Sequence, residues 1–253
     1  MYIKDSIIQT GKTVLIRWPK TVVRFFQFFN DFRKFKSADS NKRFSVNAKD
    51  IYPCLKDKIT STPFDQHYIY HPAWAARILA QTKPAEHIDI SSILSFSTIV
   101  SAFVPVKFYD YRPAQVSLNG LSSEAGDLMN LPFADASIPS LSCMHTVEHI
   151  GLGRYGDPLD PEGDVKAINE LKRVLAPGGS LLFVTPVGRS RLEFNAHRIF
   201  SFEQITSYFS GLTLAEFSLI PDKGGLLVNA DPALVKEQEY GCGCFWFKKP
   251  NHN

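Results

Sequence analysis

The sequence predicts an α/β protein: a mostly parallel sheet covered by helices on both faces, preceded by an N-terminal helical extension. Three observations carry that expectation. From residue 86 onward, short apolar runs of strand length alternate with helical segments, as strands joined by helical crossovers do. The run SLSCMHTV reads as a strand buried on both faces, which parallel sheets require. Charge also divides the chain: residues 1–60 hold 13 Lys/Arg against 5 Asp/Glu, whereas the remainder holds 15 against 20. A basic arm thus precedes a mildly acidic body.

The 253 residues, 44% apolar and 21% charged, suffice for one large domain with a full core plus an extension. No run approaches 18 apolar residues, so no membrane-spanning helix is expected. Asp5 and Lys12 interrupt the apolar stretch that a secretion signal needs. Cys54, Cys143, Cys242 and Cys244 have no framework spacing, which favours a reducing, cytoplasmic compartment.

In chain order, residues 17–36 form a basic, aromatic-rich helix. Trp18, Val22, Phe25, Phe26, Phe29 and Phe32 lie near one stripe, with Arg17, Lys20, Arg24, Arg33, Lys34 and Lys36 mostly off it. Such a stripe fits peripheral contact with an anionic membrane, and equally the body of the protein or a homodimer partner. Nothing in it resembles a nucleic-acid module. A polar linker follows, closing a first segment at residue 60. Residues 61–85 are a helical lead-in, with Pro72 near the first turn of a helix over 71–80. The main domain spans 86–250. Strands are expected at 87–90, 106–110, up to 126, 141–147, 181–185, 214–220 and 244–247. Helices are expected at 93–103, 161–175 and 202–209, the second with Asp160 as N-cap and Pro161 at its first position.

Two motifs test function. Residues 151–156, GLGRYG, match G-x-G-x-x-G, the loop that sets backbone amides against a dinucleotide pyrophosphate. That chemistry needs a helix starting at once, and Pro158 and Pro161 forbid it. No acid ends the next strand to meet a ribose, so a nucleotide-dependent dehydrogenase is excluded. The sequence His145-Thr-Val-Glu148-His149 fits H-x-x-E-H, a zinc-hydrolase pattern that requires both histidines on one helical face. Here the preceding residues read as strand. The pair Cys242-Gly-Cys244 lacks a second pair and reads as two ordinary thiols. No metal site is expected.

Other phrases point elsewhere. Asp89 and Asp110 end the first two strands, Gly126-Asp127-Leu128 with Leu131-Pro-Phe133 and Asp135 form G-D-x-x-x-L-P-F-x-D, and Arg173-Val-Leu-Ala-Pro-Gly-Gly179 precedes the fifth strand. Residues 86–188 so marked resemble the Rossmann-like core of class I S-adenosylmethionine-dependent methyltransferases. The phrases EHIGLGRYGDPLDPEGD, RVLAPGGSLLFVTPVG and FNAHRIF are similar to the family known as domain of unknown function 268, itself viewed as methyltransferase-like. The resemblance implies methyl transfer from S-adenosylmethionine, with S-adenosylhomocysteine as product. It implies a cofactor site of Asp89, Ser91, Ser92, Asp110, Asp127, Leu128 and His145. One departure stands out: where those enzymes carry acid-x-Gly-x-Gly, this chain reads Asp89-Ile-Ser-Ser92, and glycine is what usually permits φ > 0 there.

Residues beyond the C-terminal ends of strands four and five face the crevice where open α/β sheets bind ligands. His149 or His197 is positioned to act as general base toward an acceptor hydroxyl, with Glu148 orienting it. Arg154, Tyr155, Asp157, Asn195 and Arg198 are candidates for holding a small-molecule or glycan acceptor, the arginines clamping an anionic group. The glycines of GLGRYG equally suit a tight structural loop held by an Arg154–Asp157 pair. A non-catalytic binding protein on the same fold, or a membrane-peripheral adaptor, is the alternative function.

Overall fold

A computed structural model describes residues 19–251 in full and the backbone of 9–10 and 13–14. Arg17 and Trp18 of the expected basic stripe lie outside the described residues. The chain divides into two units, residues 1–63 and 64–253.

In the first unit, the backbone at Gln9–Thr10 pairs antiparallel with Thr13–Val14. Helix α1 (Lys20–Ala38) runs 19 residues and buries none of them. Phe25, Phe29 and Phe35 are exposed, and Phe25 and Phe29 meet edge to face at 4.9 Å. No helix among the described residues is long and apolar enough to cross a membrane.

The second unit opens with helix α2 (Gln66–Thr82), then β1 (His87–Ile90), α3 (Leu94–Val100), β2 (Val106–Asp110), β3 (Leu121–Ala125) and β4 (Ile138–Met144). Helix α4 (Gly163–Val174), β5 (Leu175–Val187), α5 (Phe202–Tyr208), β6 (Thr213–Ile220) and β7 (Gly241–Lys248) complete it. The seven strands lie in the order β6-β7-β5-β4-β1-β2-β3. Strands β1 to β5 pair parallel, while β7 is antiparallel to both β5 and β6. Chain order runs outward from β1 to β3 and then returns to β4, so the sheet reverses direction between β1 and β4. At such a switch point the flanking loops part and leave a crevice at the C-terminal strand ends.

Apolar spacing explains the layers. Ala167, Ile168, Leu171 and Val174 form one stripe of α4 and join Ile205 and Phe209 on one face of the sheet. Trp74, Ala75, Ile78 and Leu79 of α2 and Phe96 and Val100 of α3 cover the other.

Two helix starts differ from expectation. Asp65 Oδ1 accepts from the Tyr68 amide at 3.3 Å, so α2 begins six residues before Pro72, which sits inside it. A proline there removes only one backbone donor, and the buried face on either side holds the helix together. Helix α4 starts at Gly163 with no side-chain cap, not at Pro161. The carboxylate of Asp160 is already committed to the Glu162 amide at 3.0 Å and to Lys166 Nζ at 2.6 Å. Strand β4 also stops at Met144 instead of reaching 147. His145 takes φ 56°, which turns the chain out of the sheet into a short 3-10 turn, Val147–His149.

Candidate functional site

The loop after β1 solves the glycine-free problem by strain. Ser91 adopts φ 54°, the left-handed conformation that glycine normally supplies. Its amide donates to Tyr109 O at 2.7 Å and its hydroxyl to the same oxygen at 3.2 Å. Ser92 Oγ accepts from the Met144 amide at 3.1 Å, and Thr146 Oγ1 donates to Ser91 O at 3.0 Å. These bonds lace the end of β1 to β2 on one side and to the end of β4 across the switch point.

Two adjoining hollows open there, of about 180 and 140 Å3. Ser91, Tyr111, His149, Ile150 and Tyr155 line both. Asp110, Arg112, His145 and Thr146 complete the first, and Asp127, Leu128, Met129 and Asp157 belong to the second. Asp110 Oδ1 accepts from the Arg112 amide at 2.7 Å, and Asp127 Oδ1 from the Met129 amide at 2.8 Å. Each carboxylate therefore ties one oxygen to its own loop and keeps the other without a protein donor among the described residues.

Arg173 fixes the Asp127 loop. Its guanidinium donates to Phe133 O at 2.7 Å, Leu131 O at 3.1 Å and Asp135 Oδ1 at 2.8 Å, while Glu170 Oε2 accepts from the Leu131 amide at 2.9 Å. The two sequence phrases around Asp127 and Arg173 are thus one physical unit.

Asp89 is not part of the cleft. It is wholly buried and accepts from Ser142 Oγ at 2.6 Å and from Ser97 Oγ. Because Ser142 donates to Asp89, its oxygen must accept from His87 Nε2 at 2.9 Å. The neutral ring then takes the Ser140 hydroxyl on Nδ1 at 2.8 Å. Burial raises Asp89 to about 6 and lowers His87 to about 3. Of the two acids expected at the first strand ends, only Asp110 lines a hollow. Ser92 is likewise buried and lines neither hollow.

At the rim, His149 Nδ1 lies 2.7 Å from the Ala196 carbonyl, which can only accept, so the ring proton is on Nδ1 and the lone pair on Nε2. Burial lowers its pKa despite the nearby Glu148 charge. Glu148 Oε1 lies 3.8 Å from that Nε2 and 2.8 Å from His145 Nδ1. Glu148 is fully buried and lines neither hollow, so it cannot be the group that meets an acceptor. Burial opposes its charge most strongly, but the His145 hydrogen bond and the His145 and His149 rings together outweigh burial and hold its pKa below the usual value.

The other rim candidates divide. Tyr155 walls both hollows, with the Arg112 guanidinium 4.7 Å and that of Arg154 5.1 Å from its ring centre. Arg154 also donates to Ala196 O at 2.9 Å. The expected Arg154–Asp157 pair is not formed. Asp157 instead accepts backbone amides from Gly151 at 2.8 Å, Gly153 at 3.3 Å and Tyr155 at 3.1 Å. Arg198 is buried and donates to Ile150 O at 2.7 Å and Pro161 O at 3.3 Å, beside Asp164 at 3.4 Å. It fastens the rim loop and is not exposed to clamp an acceptor. His197 pairs with Glu193 at 3.1 Å and lines neither hollow, and Asn195 is exposed and does not line them either.

Sequence reasoning missed a cluster beside His145. The His67 ring stacks between His145 at 5.3 Å and Tyr240 at 5.1 Å, each at 16°. His71, wholly buried, lies 5.1 Å from His145. Burial, helped by the neighbouring His145, lowers His67 to about 4 and His71 well below the usual range. Cys242 on β7 closes the group, its thiol pushed up by burial.

Residues 135–223 match the family described as Caenorhabditis protein of unknown function, DUF268. No curated protein matches the chain in sequence. Among solved structures, a Bacillus halodurans C-125 protein assigned as a methyltransferase superposes with TM-score 0.51 at 14% identity, over 71% of this chain and 99% of that one. The N-methyltransferase NodS from Bradyrhizobium japonicum WM9, in complex with S-adenosyl-L-homocysteine, gives 0.50 at 15% identity over 71% and 86%. The [4+2]-cyclase SpnF also gives 0.50, at 15% identity over 72% and 81%. At these identities the likeness is one of fold. Residues 135–223 are thus similar to the DUF268 family, and the second unit has a fold like that of these solved structures.

Proposed function

We propose that the cleft binds S-adenosylmethionine and that the protein transfers its methyl group to a hydroxyl of a small or carbohydrate-type acceptor. The observation that carries this reading is the pair of half-committed carboxylates, Asp110 and Asp127, at the ends of adjacent strands. A ribose diol and an adenine amine each need an acceptor of that kind, and parallel neighbouring strands deliver both to one crevice. The two hollows suit a two-lobed ligand, with the nucleoside by Asp127 and Leu128 and the amino-acid end toward Ser91 and Thr146.

When bound, S-adenosylmethionine would supply an electrophilic methyl group whose bond to sulfur breaks as the acceptor oxygen bonds to it, leaving S-adenosylhomocysteine. The chain's part is to take the hydroxyl proton. His149 Nε2 is its base, held in the right tautomer by Ala196 O, and the Glu148 carboxylate 3.8 Å away favours the imidazolium that results. Tyr155 and Arg154 stand at the rim where an acceptor enters.

Calorimetric titration with S-adenosylmethionine and S-adenosylhomocysteine tests the binding step. Saturable heat that Asp110→Asn weakens is expected, and no heat at millimolar ligand overturns the reading. Because SpnF shares the fold and is a cyclase, transfer needs its own readout, label from methyl-tritiated cofactor appearing on hydroxylated acceptors. Binding without any transfer would favour the non-catalytic alternative.

The exposed phenylalanines of α1 favour a second reading, attachment to an anionic membrane surface. Phe25, Phe29 and Phe35 offer apolar area, and Lys20, Arg24, Arg33, Lys34 and Lys36 offer charge. Sedimentation with phosphatidylserine vesicles should fall on deleting residues 1–40. Equal sedimentation of both forms removes this reading.

A further inference from the structure

We propose that His67, His145 and Cys242 form a binding site for a zinc(II) ion. The ligand atoms of the three residues, brought from α2, the turn after β4 and strand β7, all lie within 4.8 Å of one another. A tetrahedral zinc ion spaces nitrogen and sulfur ligands by roughly 3.3–3.7 Å. Closing the set therefore takes movements of about an ångström, within the reach of side-chain rotation.

The surroundings ask for a cation. His145 Nδ1 donates to Glu148 Oε1 at 2.8 Å, which leaves the lone pair on Nε2. That nitrogen is buried, its side chain 3% exposed, and has no hydrogen-bond partner among the described residues. Stacked rings alone would leave it unsatisfied, a cost that buried polar atoms rarely bear. A carboxylate on the far nitrogen is how metal-binding histidines are commonly oriented. Both ring nitrogens of the wholly buried His71 and Oε2 of Glu148 also lack partners among the described residues.

Ligand chemistry selects the ion. Two imidazoles and a thiolate suit a borderline-soft cation such as zinc, and an oxygen-seeking calcium or magnesium ion would find too few partners. The thiol proton of Cys242 leaves to solvent as the metal–sulfur bond forms, with no change of oxidation state. Two positive charges then balance the thiolate and the buried Glu148 carboxylate, and the buried site is neutral. Three protein ligands leave a fourth position for water or a small ligand. His145 also lines the cleft, so the ion would sit beside its wall. The site does not depend on methyl transfer, and its test reads metal directly.

The test uses the full chain, stripped with chelator and titrated with zinc alone, then with cobalt(II) as a spectroscopic probe. One equivalent of zinc should bind, and cobalt should give a thiolate-to-metal charge-transfer band with intense visible bands. Cys242→Ser should abolish the charge-transfer band, and His67→Ala should weaken zinc by more than about 100-fold. The exposed Cys54→Ser should leave both unchanged. Absence of zinc binding by the wild-type chain overturns the proposal, as does unchanged affinity in His67→Ala or a thiolate band surviving in Cys242→Ser. If Cys242→Ser fails to fold, His67, only partly buried on α2, decides the outcome alone.

Discussion

Asp157 Oδ2 accepts the backbone amide of Gly151 at 2.8 Å, and the nest of amides in GLGRYG is thereby filled by the chain's own carboxylate. Gly153 and Tyr155 donate to the same side chain. The loop has the geometry of an anion site and needs no external anion. Gly151 is indispensable to it: at φ 78° an added Cβ would fall 2.0 Å from Asp160 O.

Removing either partner should therefore loosen the rim. Asp157→Ala leaves three amides to find water and should cost roughly 1–3 kcal/mol in urea unfolding. Gly151→Ala adds left-handed strain to a backbone clash and should cost more. Equal or smaller loss for Gly151→Ala than for Asp157→Ala would show that the loop opens freely and is not held by this contact.

The same loop shows what the sequence could and could not disclose. Pro158 and Pro161 were enough to deny it a following helix, because proline acts locally. That Asp157, rather than Arg154, would close the loop depends on amide directions that no residue pattern records. Strand alternation disclosed the inner sheet for a similar reason: burial on two faces demands apolar runs there, whereas the edge strand β3, with no buried residue, left a weaker pattern. Asp89 and Arg198 were misplaced because a charged residue near a strand end looks identical whether it faces solvent or is folded under hydroxyls and carbonyls. That His67, His145 and Cys242 meet had no signal: His145 and Cys242 each stand in a short motif, and neither motif points to His67. Ligand motifs are legible when one element carries several ligands, and here three elements carry one each.

Ser91 carries strain that glycine would relieve. Its φ of 54° costs a side-chain-bearing residue on the order of 1 kcal/mol, partly offset by its 3.2 Å bond to Tyr109 O. Ser91→Gly should raise stability by roughly 0.5 kcal/mol, after the greater freedom of glycine in the unfolded chain is counted. Affinity for S-adenosylhomocysteine should hold or improve. A loss of stability in urea unfolding would mean that the hydroxyl outweighs the backbone strain.

Asp89 makes stability depend on pH in an unusual direction for a carboxylate. Its pKa is raised from 3.8 to about 6 by burial, so the native state favours the protonated acid. The stabilisation is complete below pH 3.8 and is lost as pH rises through about 6. His87 acts oppositely: depressed to about 3, it stabilises above pH 6.5 and loses that contribution as pH falls. In the wild type the two partly cancel between pH 4 and 6. Asp89→Asn removes one, so its stability relative to wild type should climb across that window, by up to about 3 kcal/mol. A pH-independent difference between the two unfolding curves would show that Asp89 titrates normally.

His149 separates binding from chemistry, which neither Asp110 nor Asp127 can do. His149 lines both hollows, and the carboxylates proposed to hold the cofactor belong to other strands, so truncating it should leave S-adenosylhomocysteine affinity within a few-fold. Transfer to a hydroxyl acceptor should nevertheless fall by roughly 10²–10⁴-fold in kcat, the usual contribution of a positioned base. His149→Gln can still donate to Ala196 O through its amide but offers no basic nitrogen, and it should be as slow as His149→Ala. Restored activity in His149→Gln would mean that the ring only holds the rim in place through Ala196. His197→Ala provides the contrast. Its ring lies 6.3 Å from that of His149 and lines neither hollow, so it should keep most of the activity. If instead His197→Ala abolishes transfer while His149→Ala does not, the base has been misassigned between two histidines that share one rim.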